Sequence, residues 1–313
     1  MGFFNNLFDI DSRDNYAVTG LNKELNSLYI YNYFIKNKKN NLVITNSLYE
    51  ANDVYNRLLN YTNKVLFFPM DDFITSEVTD ISPEFVIDRL ITLNKLLGSG
   101  KYIVVTNLMG ILRYLPNTKL YKNKIIDINK NMDIDRDDFI NKLFDLGYEK
   151  KPVVSRTGEM AIRGYVIDIF PIEFDNPIRI EFWGDTIDSI KYFDLEDQIS
   201  NTSIDSVKIY PYTEFLIDGK IEDNIIRKQK YLLNYSDSVS GLWDYVSDSV
   251  IFYYDYNQII NSYSLLRENI LEYDSELDDD IKTNYMWDIE DISNKHNIYI
   301  LDNEPHSLCL SKY

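Results

Sequence analysis

The residues closest to a catalytic pattern lie at positions 17–24, in the octapeptide A-V-T-G-L-N-K-E. A phosphate-binding loop has the pattern G-x-x-x-x-G-K-[ST], in which backbone N–H groups wrap the phosphates and the hydroxyl holds Mg²⁺. Here alanine and asparagine replace the two glycines, glutamate replaces the hydroxyl residue, and only the lysine matches. We therefore expect that this degenerate loop does not bind nucleotide; its residues are Ala17, Thr19, Gly20, Asn22, Lys23 and Glu24.

The rest of the chain carries no recognisable catalytic or metal-binding pattern. The single cysteine, Cys309, allows neither an intrachain disulfide nor a thiolate metal cluster. His296 and His306 lie away from any acidic or cysteine ligand pattern. No Ser/His/Asp set and no nucleophile elbow is found, so the interpretation as an unrelated α/β enzyme has no support. We expect no metal and no cofactor.

A second group of functional residue types lies in I-R-I-E-F-W at 178–183. Strand alternation assigns its three apolar residues to a core face and puts Arg179, Glu181 and Trp183 on the other face. Tryptophan and arginine are the residue types richest in interface hot spots, which favours a recognition patch. The alternative is a half-buried Trp183 beside an Arg179 that is paired with Glu181. Alternation alone leaves both interpretations open.

The elements that position these residues indicate two kinds of sheet. Residues 41–125 alternate strands with helices, which predicts a parallel sheet with helices on its faces. Ser47 and Glu50 form a capping-box pattern at the start of one helix, and Pro83 is expected to begin another. Later in the chain we expect short strands at 249–254, 285–287 and 298–300 and a helix at 256–271.

Residues 155–198 predict β-hairpins, preceded by a helix that Asp135 caps. A turn at 157–158 is expected to lead into one long β run that ends at Pro171. In such a run Arg163 shares a strand face with Ala161 and Tyr165. A second turn at 184–185 is expected to fold the next strand back.

Size and charge bound the class of protein. A chain of 313 residues is long enough for two or three domains. The net charge of −18 is concentrated after residue 130, which argues against binding DNA through a basic patch there. The first residues show no signal peptide, and no apolar run approaches the ~18 residues of a membrane span. The expected compartment is the cytoplasm, without membrane contact.

The stretches G-E-M-A-I-R-G-Y-V-I-D-I-F-P and P-I-R-I-E-F-W-G-D-T-I-D-S-I-K-Y-F-D resemble the UvrB-type interaction domain. This domain occurs in the excision-repair protein UvrB and in the bacterial transcription–repair coupling factors (Mfd). The degenerate loop looks like the V-T-G-S-G-K-T loop of UvrB after loss of function. A short acidic segment at 69–83 stands where UvrB has its tyrosine-rich, DNA-clamping hairpin. Both departures favour the coupling-factor family over UvrB.

The resemblance implies an α/β fold class with two parts. The first is a degenerate P-loop domain, RecA-like and UvrB-like, with a parallel sheet built from residues 1–125 and 214–313. The second, at 126–213, is an inserted α+β interaction domain with an antiparallel sheet.

The resemblance also implies a function. The family uses this domain, without catalysis, to recruit UvrA in transcription-coupled nucleotide excision repair, and its UvrA contacts fall on Arg163, Arg179 and Trp183. The family often has Phe at the last of these positions. Its helicase motor and Tudor-like domain, which engage DNA and RNA polymerase, lie further along, so we expect a monomeric N-terminal fragment. The alternative is a UvrB-like, damaged-DNA-binding ATPase fragment, which requires a nucleotide site and a clamping hairpin.

Overall fold

The computed structural model describes residues 8, 15–71, 83–219, 229–275, 284–292 and 297–301. The chain divides into two compact units. The first unit comprises residues up to 114 together with those from 240 onward, and the second unit comprises residues 115–239. Among the described helices, none is long and apolar enough to cross a membrane.

The strands are β1 (Tyr16–Thr19), β2 (Asn40–Thr45), β3 (Val65–Phe68), β4 (Ile103–Asn107), β5 (Leu115–Pro116), β6 (Ile126–Asn129), β7 (Glu149–Lys150), β8 (Glu159–Arg163), β9 (Val166–Ile169), β10 (Ile178–Trp183), β11 (Thr186–Phe193), β12 (Ser200–Ile204), β13 (Ser206–Ile209), β14 (Val239–Ser240), β15 (Ser249–Tyr254) and β16 (Asn297–Leu301). The helices are α1 (Lys23–Asn37), α2 (Leu48–Leu59), α3 (Pro83–Leu96), α4 (Leu108–Leu112), α5 (Thr118–Lys124), α6 (Arg136–Asp145), α7 (Leu232–Tyr235), α8 (Leu242–Tyr245) and α9 (Tyr256–Ser275).

The first unit contains a six-stranded sheet in the order β1-β16-β15-β2-β4-β3, and every neighbouring pair is parallel. The parallel sheet predicted from the alternation of strands and helices is therefore confirmed. Strand β2 is buried along its whole length, as a central parallel strand covered on both faces must be.

Local sequence signals explain where the helices of this unit begin. At α2 the Ser47 hydroxyl accepts the backbone N–H of Glu50, and the Glu50 carboxylate accepts the backbone N–H of Ser47, so the predicted capping box forms. Pro83 is the first residue of α3, where its missing N–H costs no helical hydrogen bond.

The strand predicted at 285–287 was wrong. Within the described residues, Met286 makes an isolated antiparallel bridge to Arg113, and Trp287 donates its backbone N–H to the Leu112 carbonyl at 2.9 Å. Arg113 lies in the short connector that follows the five-residue helix α4. This connector has no extended strand with which Met286 and its neighbours could form a ladder. The sequence of residues 285–287 resembles a strand because its side chains are largely buried, but the segment forms only this isolated bridge.

The second unit contains a six-stranded sheet in the order β12-β11-β10-β9-β8-β7. The prediction of an antiparallel sheet holds for four neighbouring pairs, but β7 and β8 are parallel, so the sheet is mixed. The loop at 151–158 carries the chain back along the sheet, and β8 therefore starts at the same end as β7. A separate antiparallel pair joins β6 to β13.

Helix α6 covers one face of this sheet. Asp135 caps it as predicted, because its carboxylate accepts the backbone N–H of Asp138 at 2.7 Å. Phe139 and Leu143 of α6 are buried in one apolar cluster with the inward side chains of β8 to β11. The rings of Phe139 and Phe182 lie 6.1 Å apart.

The long β run expected up to Pro171 is instead a hairpin. Gly164 adopts a positive φ of 58° and breaks the run into β8 and β9, which pair antiparallel. Left-handed backbone of this kind favours glycine, which has no Cβ to clash. Tyr165 consequently lies in the turn and does not share a strand face with Ala161 and Arg163, contrary to the prediction. The turn expected at 184–185 does form between β10 and β11.

Glu159, the first residue of β8, anchors the loop that precedes it. Its carboxylate accepts the N–H (2.8 Å) and hydroxyl (2.9 Å) of Ser155 and the N–H (3.2 Å) and Nε–H (3.2 Å) of Arg156. Burial alone would raise the pKa of Glu159, but these hydrogen bonds outweigh burial and lower the pKa below its usual value of 4.5. The ionised form is thus favoured by folding, and its contribution to stability is lost as the pH falls through the lowered pKa.

We predict that Glu159→Gln lowers the free energy of unfolding at pH 7 by about 1.5–3 kcal/mol, the usual range for hydrogen bonds to a charged group. The difference from wild type should shrink as the pH falls below 4.5, because the unfolded wild-type chain binds the proton first and the native carboxylate follows as the pH falls through its lowered pKa. Urea unfolding of both proteins across this pH range measures it. A deficit that does not change with pH would contradict the role of the ionised form.

Candidate protein-interaction site

Strand β10 has the alternation that its sequence predicts. Its apolar residues, Ile178, Ile180 and Phe182, are buried against α6. Arg179 and Trp183 point to the opposite side of the sheet. We call this side the polar face, and define it by Arg163, Asp168, Arg179, Glu181 and Trp183.

Asp168 lies at the centre of the polar face. In the sheet it stands directly opposite Arg179 of β10 on one side and Ala161 of β8 on the other. Arg163 is two residues along β8 from Ala161 and therefore points to the same side. The Asp168 side chain is fully buried, with 0% of its surface exposed.

Arg179 is held on three sides. Its Nε–H and Nη2–H donate to the two carboxylate oxygens of Asp168 at 2.7 and 3.0 Å, and Nη1 donates to the Gln198 carbonyl at 3.1 Å. The guanidinium also lies over the Phe193 ring, 4.7 Å from its centroid. The hydrogen bonds to Asp168 raise the pKa of Arg179 further. Because only 16% of this side chain is exposed, Arg179 is as much a structural residue as a surface one.

Arg163 has a different environment from Arg179. Its Nη2–H donates to the same carboxylate oxygen of Asp168 that Arg179 reaches, but 45% of the Arg163 side chain is exposed. The carboxylate thus joins two guanidinium groups, one mostly enclosed and one open to solvent.

The pairing of Arg179 with Glu181, which the alternative interpretation assumed, does not form, and Glu181 has another partner. Glu181 accepts Lys191 Nζ at 2.8 Å and the Ser189 hydroxyl at 2.5 Å. These two hydrogen bonds lower the pKa of Glu181. The register of β10 and β11 explains this pairing. Ser189 stands directly opposite Glu181, and Lys191 stands opposite Arg179, one diagonal step from Glu181 on the same face.

Trp183 is 84% exposed, so the alternative interpretation as a half-buried side chain was wrong. It lies at the end of β10, beside the turn that carries Tyr165, whose carbonyl accepts the Phe182 N–H at 2.8 Å. Tyr165 is exposed as well. This end of the sheet therefore presents two large aromatic side chains to solvent, and such side chains can supply apolar contact area in an interface.

Sequence reasoning missed Asp168 and the exposure of Tyr165. A signal for Asp168 was present, since it is the acidic residue in the otherwise apolar strand sequence V-I-D-I. Its importance depends on strand order, which no local pattern reveals. Tyr165 was assigned to the wrong element because the turn at Gly164 was overlooked.

The degenerate loop in the first unit has a strand–turn–helix geometry. After β1, Gly20 adopts a positive φ of 78°, and Asn22 caps α1 by accepting the Leu25 N–H at 2.9 Å. Glu24 forms an ion pair with Arg57 at 2.8 Å. An asparagine oxygen thus already lies at the helix N-terminus, and a carboxylate follows it.

Some predictions fall on residues that the structure does not describe. These include most of the acidic segment at 69–83, the histidines His296 and His306, and Cys309. Within the described residues, no group of histidine, cysteine, aspartate or glutamate side chains could hold a metal ion.

Comparison with known proteins connects this geometry to a family. Residues 126–215 match the family model of the UvrB interaction domain. This chain carries a UvrB interaction domain. The match includes β6 to β13 and all of the polar face.

The chain is also similar to transcription-repair-coupling factors of staphylococci. It is 35% identical to that of Staphylococcus haemolyticus (strain JCSC1435) over 220 residues, which is 70% of this chain and 19% of the relative. It is 32% identical to that of Staphylococcus epidermidis (strain RP62A) over 235 residues, 74% of this chain and 20% of the relative. The chain thus spans about a fifth of the length of these relatives. The resemblance to this family that the motifs indicated is confirmed.

The environments of the three predicted contact residues lead to a stability prediction. Arg179→Ala should lower the free energy of unfolding by ~2 kcal/mol or more, because it removes a fork of hydrogen bonds from a buried carboxylate. Trp183→Ala should change it by less than ~0.5 kcal/mol, as exposed substitutions usually do. Urea unfolding of the two variants measures the difference. Equal losses would show that the two side chains do not differ in structural role.

Proposed function

We propose that this chain is a non-catalytic protein-interaction module that recruits UvrA in transcription-coupled nucleotide excision repair. The observation that carries the proposal is the exposed Trp183 on the same face as two arginines, the polar face of a UvrB interaction domain. The similarity to transcription-repair-coupling factors supports the repair context. We assign contacts with RNA polymerase and DNA to other segments of a full-length protein.

The chemistry of the polar face suits a protein partner. Arg179 and Trp183 are four residues apart on one strand, which separates them by roughly 13 Å. Arg163 extends the group onto β8 through Asp168. A patch of these dimensions fits the centre of a standard interface, which contains 20–30 residues on each side. The matching partner surface has an apolar pocket for the indole and carboxylates for the guanidinium groups.

For the first unit we propose a RecA-like and UvrB-like fold with a degenerate P-loop that binds no nucleotide. The parallel sheet and the strand–turn–helix geometry at 16–37 support the fold. Two features oppose a nucleotide: the Asn22 cap at the N-terminus of α1 and the negative charge of Glu24. The domain boundaries that we propose from the family resemblance are 1–125, 126–213 and 214–313, whereas the compact units of the structure divide near residues 114 and 239.

The partner surface can be tested by calorimetric titration with UvrA. We expect Arg163→Ala, Arg179→Ala and Trp183→Ala each to weaken binding by at least ~2 kcal/mol, about 30-fold, as hot-spot residues do. Lys208→Ala is a matched control, because Lys208 is an exposed cation of the same unit on a different sheet. Its affinity should equal that of wild type.

Each variant is melted alongside the titration, and binding is measured at a temperature where it is folded. Unchanged affinity in all three variants would refute the surface. Equal weakening by Lys208→Ala would mean that net charge, and not the polar face, governs the interaction.

The nucleotide prediction needs a separate measurement. Titration of the chain with a fluorescent ATP analogue and Mg²⁺ should give no saturable binding in the micromolar range, and Lys23→Ala should behave as wild type. The reason is the loss of three of the four motif residues at Ala17, Asn22 and Glu24. Mg²⁺-dependent binding that Lys23→Ala abolishes would favour the alternative, a UvrB-like ATPase fragment.

A further inference from the structure

Burial of Asp168 is physically expensive unless the charge is fully compensated. Arg179 alone provides that compensation, since its Nε–H and Nη2–H form a fork on the two carboxylate oxygens. The additional hydrogen bond from Arg163 is therefore not needed to satisfy the carboxylate. This hydrogen bond instead restricts the side chain of Arg163, which would otherwise sample many rotamers in solvent.

The shared carboxylate also lets two cations lie together. Arg163 and Arg179 are on strands separated by β9, and like charges at this spacing repel one another. Asp168 of β9 stands between them and attracts both. Among the described residues, Asp168 is the one hydrogen-bond partner of the Arg163 guanidinium, and 45% of the side chain is exposed, so its remaining N–H groups can serve an incoming acceptor.

We propose that Asp168 is a positioning residue of the partner surface, which presents Arg163 to the partner with one edge of the guanidinium fixed and the other open. This inference rests on the proposed function and adds to it a residue that makes no partner contact. Arg179, enclosed by Asp168, Gln198 and Phe193, completes the support. The outer edge of Arg163 is suited to a carboxylate of the partner.

The central test is a double-mutant cycle in the titration with UvrA. Asp168→Asn should weaken binding by about tenfold, because side-chain ordering and a charged hydrogen bond are lost. In an Arg163→Ala background the same change should have less than about a twofold effect, because Gln198 and Phe193 still hold Arg179. In a Trp183→Ala background it should again be about tenfold. A loss of equal size in both backgrounds would overturn the proposal, because it would indicate a general effect on folding.

A matched control separates positioning from stability. Glu159→Gln removes another buried, hydrogen-bonded carboxylate from the same sheet without touching either arginine of the pair. It should reduce thermal stability and leave the affinity for UvrA unchanged. If Glu159→Gln weakens binding as much as Asp168→Asn, loss of any buried carboxylate is sufficient and the specific role of Asp168 is refuted.

Two further measurements test the proposal even if Asp168→Asn does not fold. Arg163→Lys keeps the charge but replaces the planar fork, which has one edge for Asp168 and another for the partner, by a compact point charge without fixed edges, so it should bind nearly as weakly as Arg163→Ala. Wild-type affinity in Arg163→Lys would contradict the proposal.

Side-chain ¹⁵N NMR of the wild-type chain, without UvrA, should show restricted rotation of the Arg163 guanidinium, and free rotation would also contradict it.

The NMR measurement distinguishes failure of this inference from failure of the proposed function. Restricted Arg163 in a chain that does not bind UvrA would support the positioning by Asp168 and refute UvrA as the partner. Freely rotating Arg163 in a chain that binds UvrA through Arg163 would support the partner and refute the positioning.

Discussion

The alternation of strand β10 is the constraint on which the second unit depends. One face of this strand is sealed against α6, and the other carries Arg179 and Trp183. A register slip of one residue would exchange the two faces, burying a cation and exposing the core. The neighbouring strand β11 has an extra residue, Asp188, opposite the step from Glu181 to Phe182. This bulge lies on the partner strand, so the alternation of β10 itself continues without interruption to Trp183.

The polar face carries charged residues, but it is not a fully solvated surface, because it also has a small buried apolar cluster. Phe193 is completely buried there and forms a small apolar cluster with Val154, Ala161 and Phe170. Arg179 lies over that cluster through Phe193, and Asp168 fixes its orientation. Low dielectric around the pair strengthens these hydrogen bonds and makes removal of either partner costly.

Features that depend on local periodicity could be predicted from the sequence, and those that depend on strand order could not. The capping box at Ser47 and the core face of β10 follow from patterns within a few residues, and the parallel sheet follows from a succession of such patterns along residues 41–125. The pairing of Arg179 with Asp168 joins residues eleven positions apart, across strands whose adjacency depends on the turn at Gly164. Since that turn was interpreted as continuous strand, neither Asp168 nor the position of Tyr165 could be inferred.

The ion pairs around Arg57 in the first unit and around Arg163 and Arg179 in the second unit differ in their balance of charge, and the difference bears on which group would suit an acidic partner. In the first unit, Arg57 is shared by two carboxylates, Glu24 at 2.8 Å and Asp53 at 3.0 Å, so the group has an excess of negative charge. On the polar face, one carboxylate is shared by two arginines, which leaves an excess of positive charge.

This local excess matters because the whole chain has a net charge of −18. An acidic surface repels an acidic partner at long range, so attraction must come from a group that is locally positive and fixed in orientation. The arginine pair meets both conditions, and the exposed Trp183 on the same face can supply apolar contact area. The Arg57 group meets neither, since Glu24 and Asp53 already neutralise it and extend its negative charge to the start of α1, where a phosphate would otherwise be attracted.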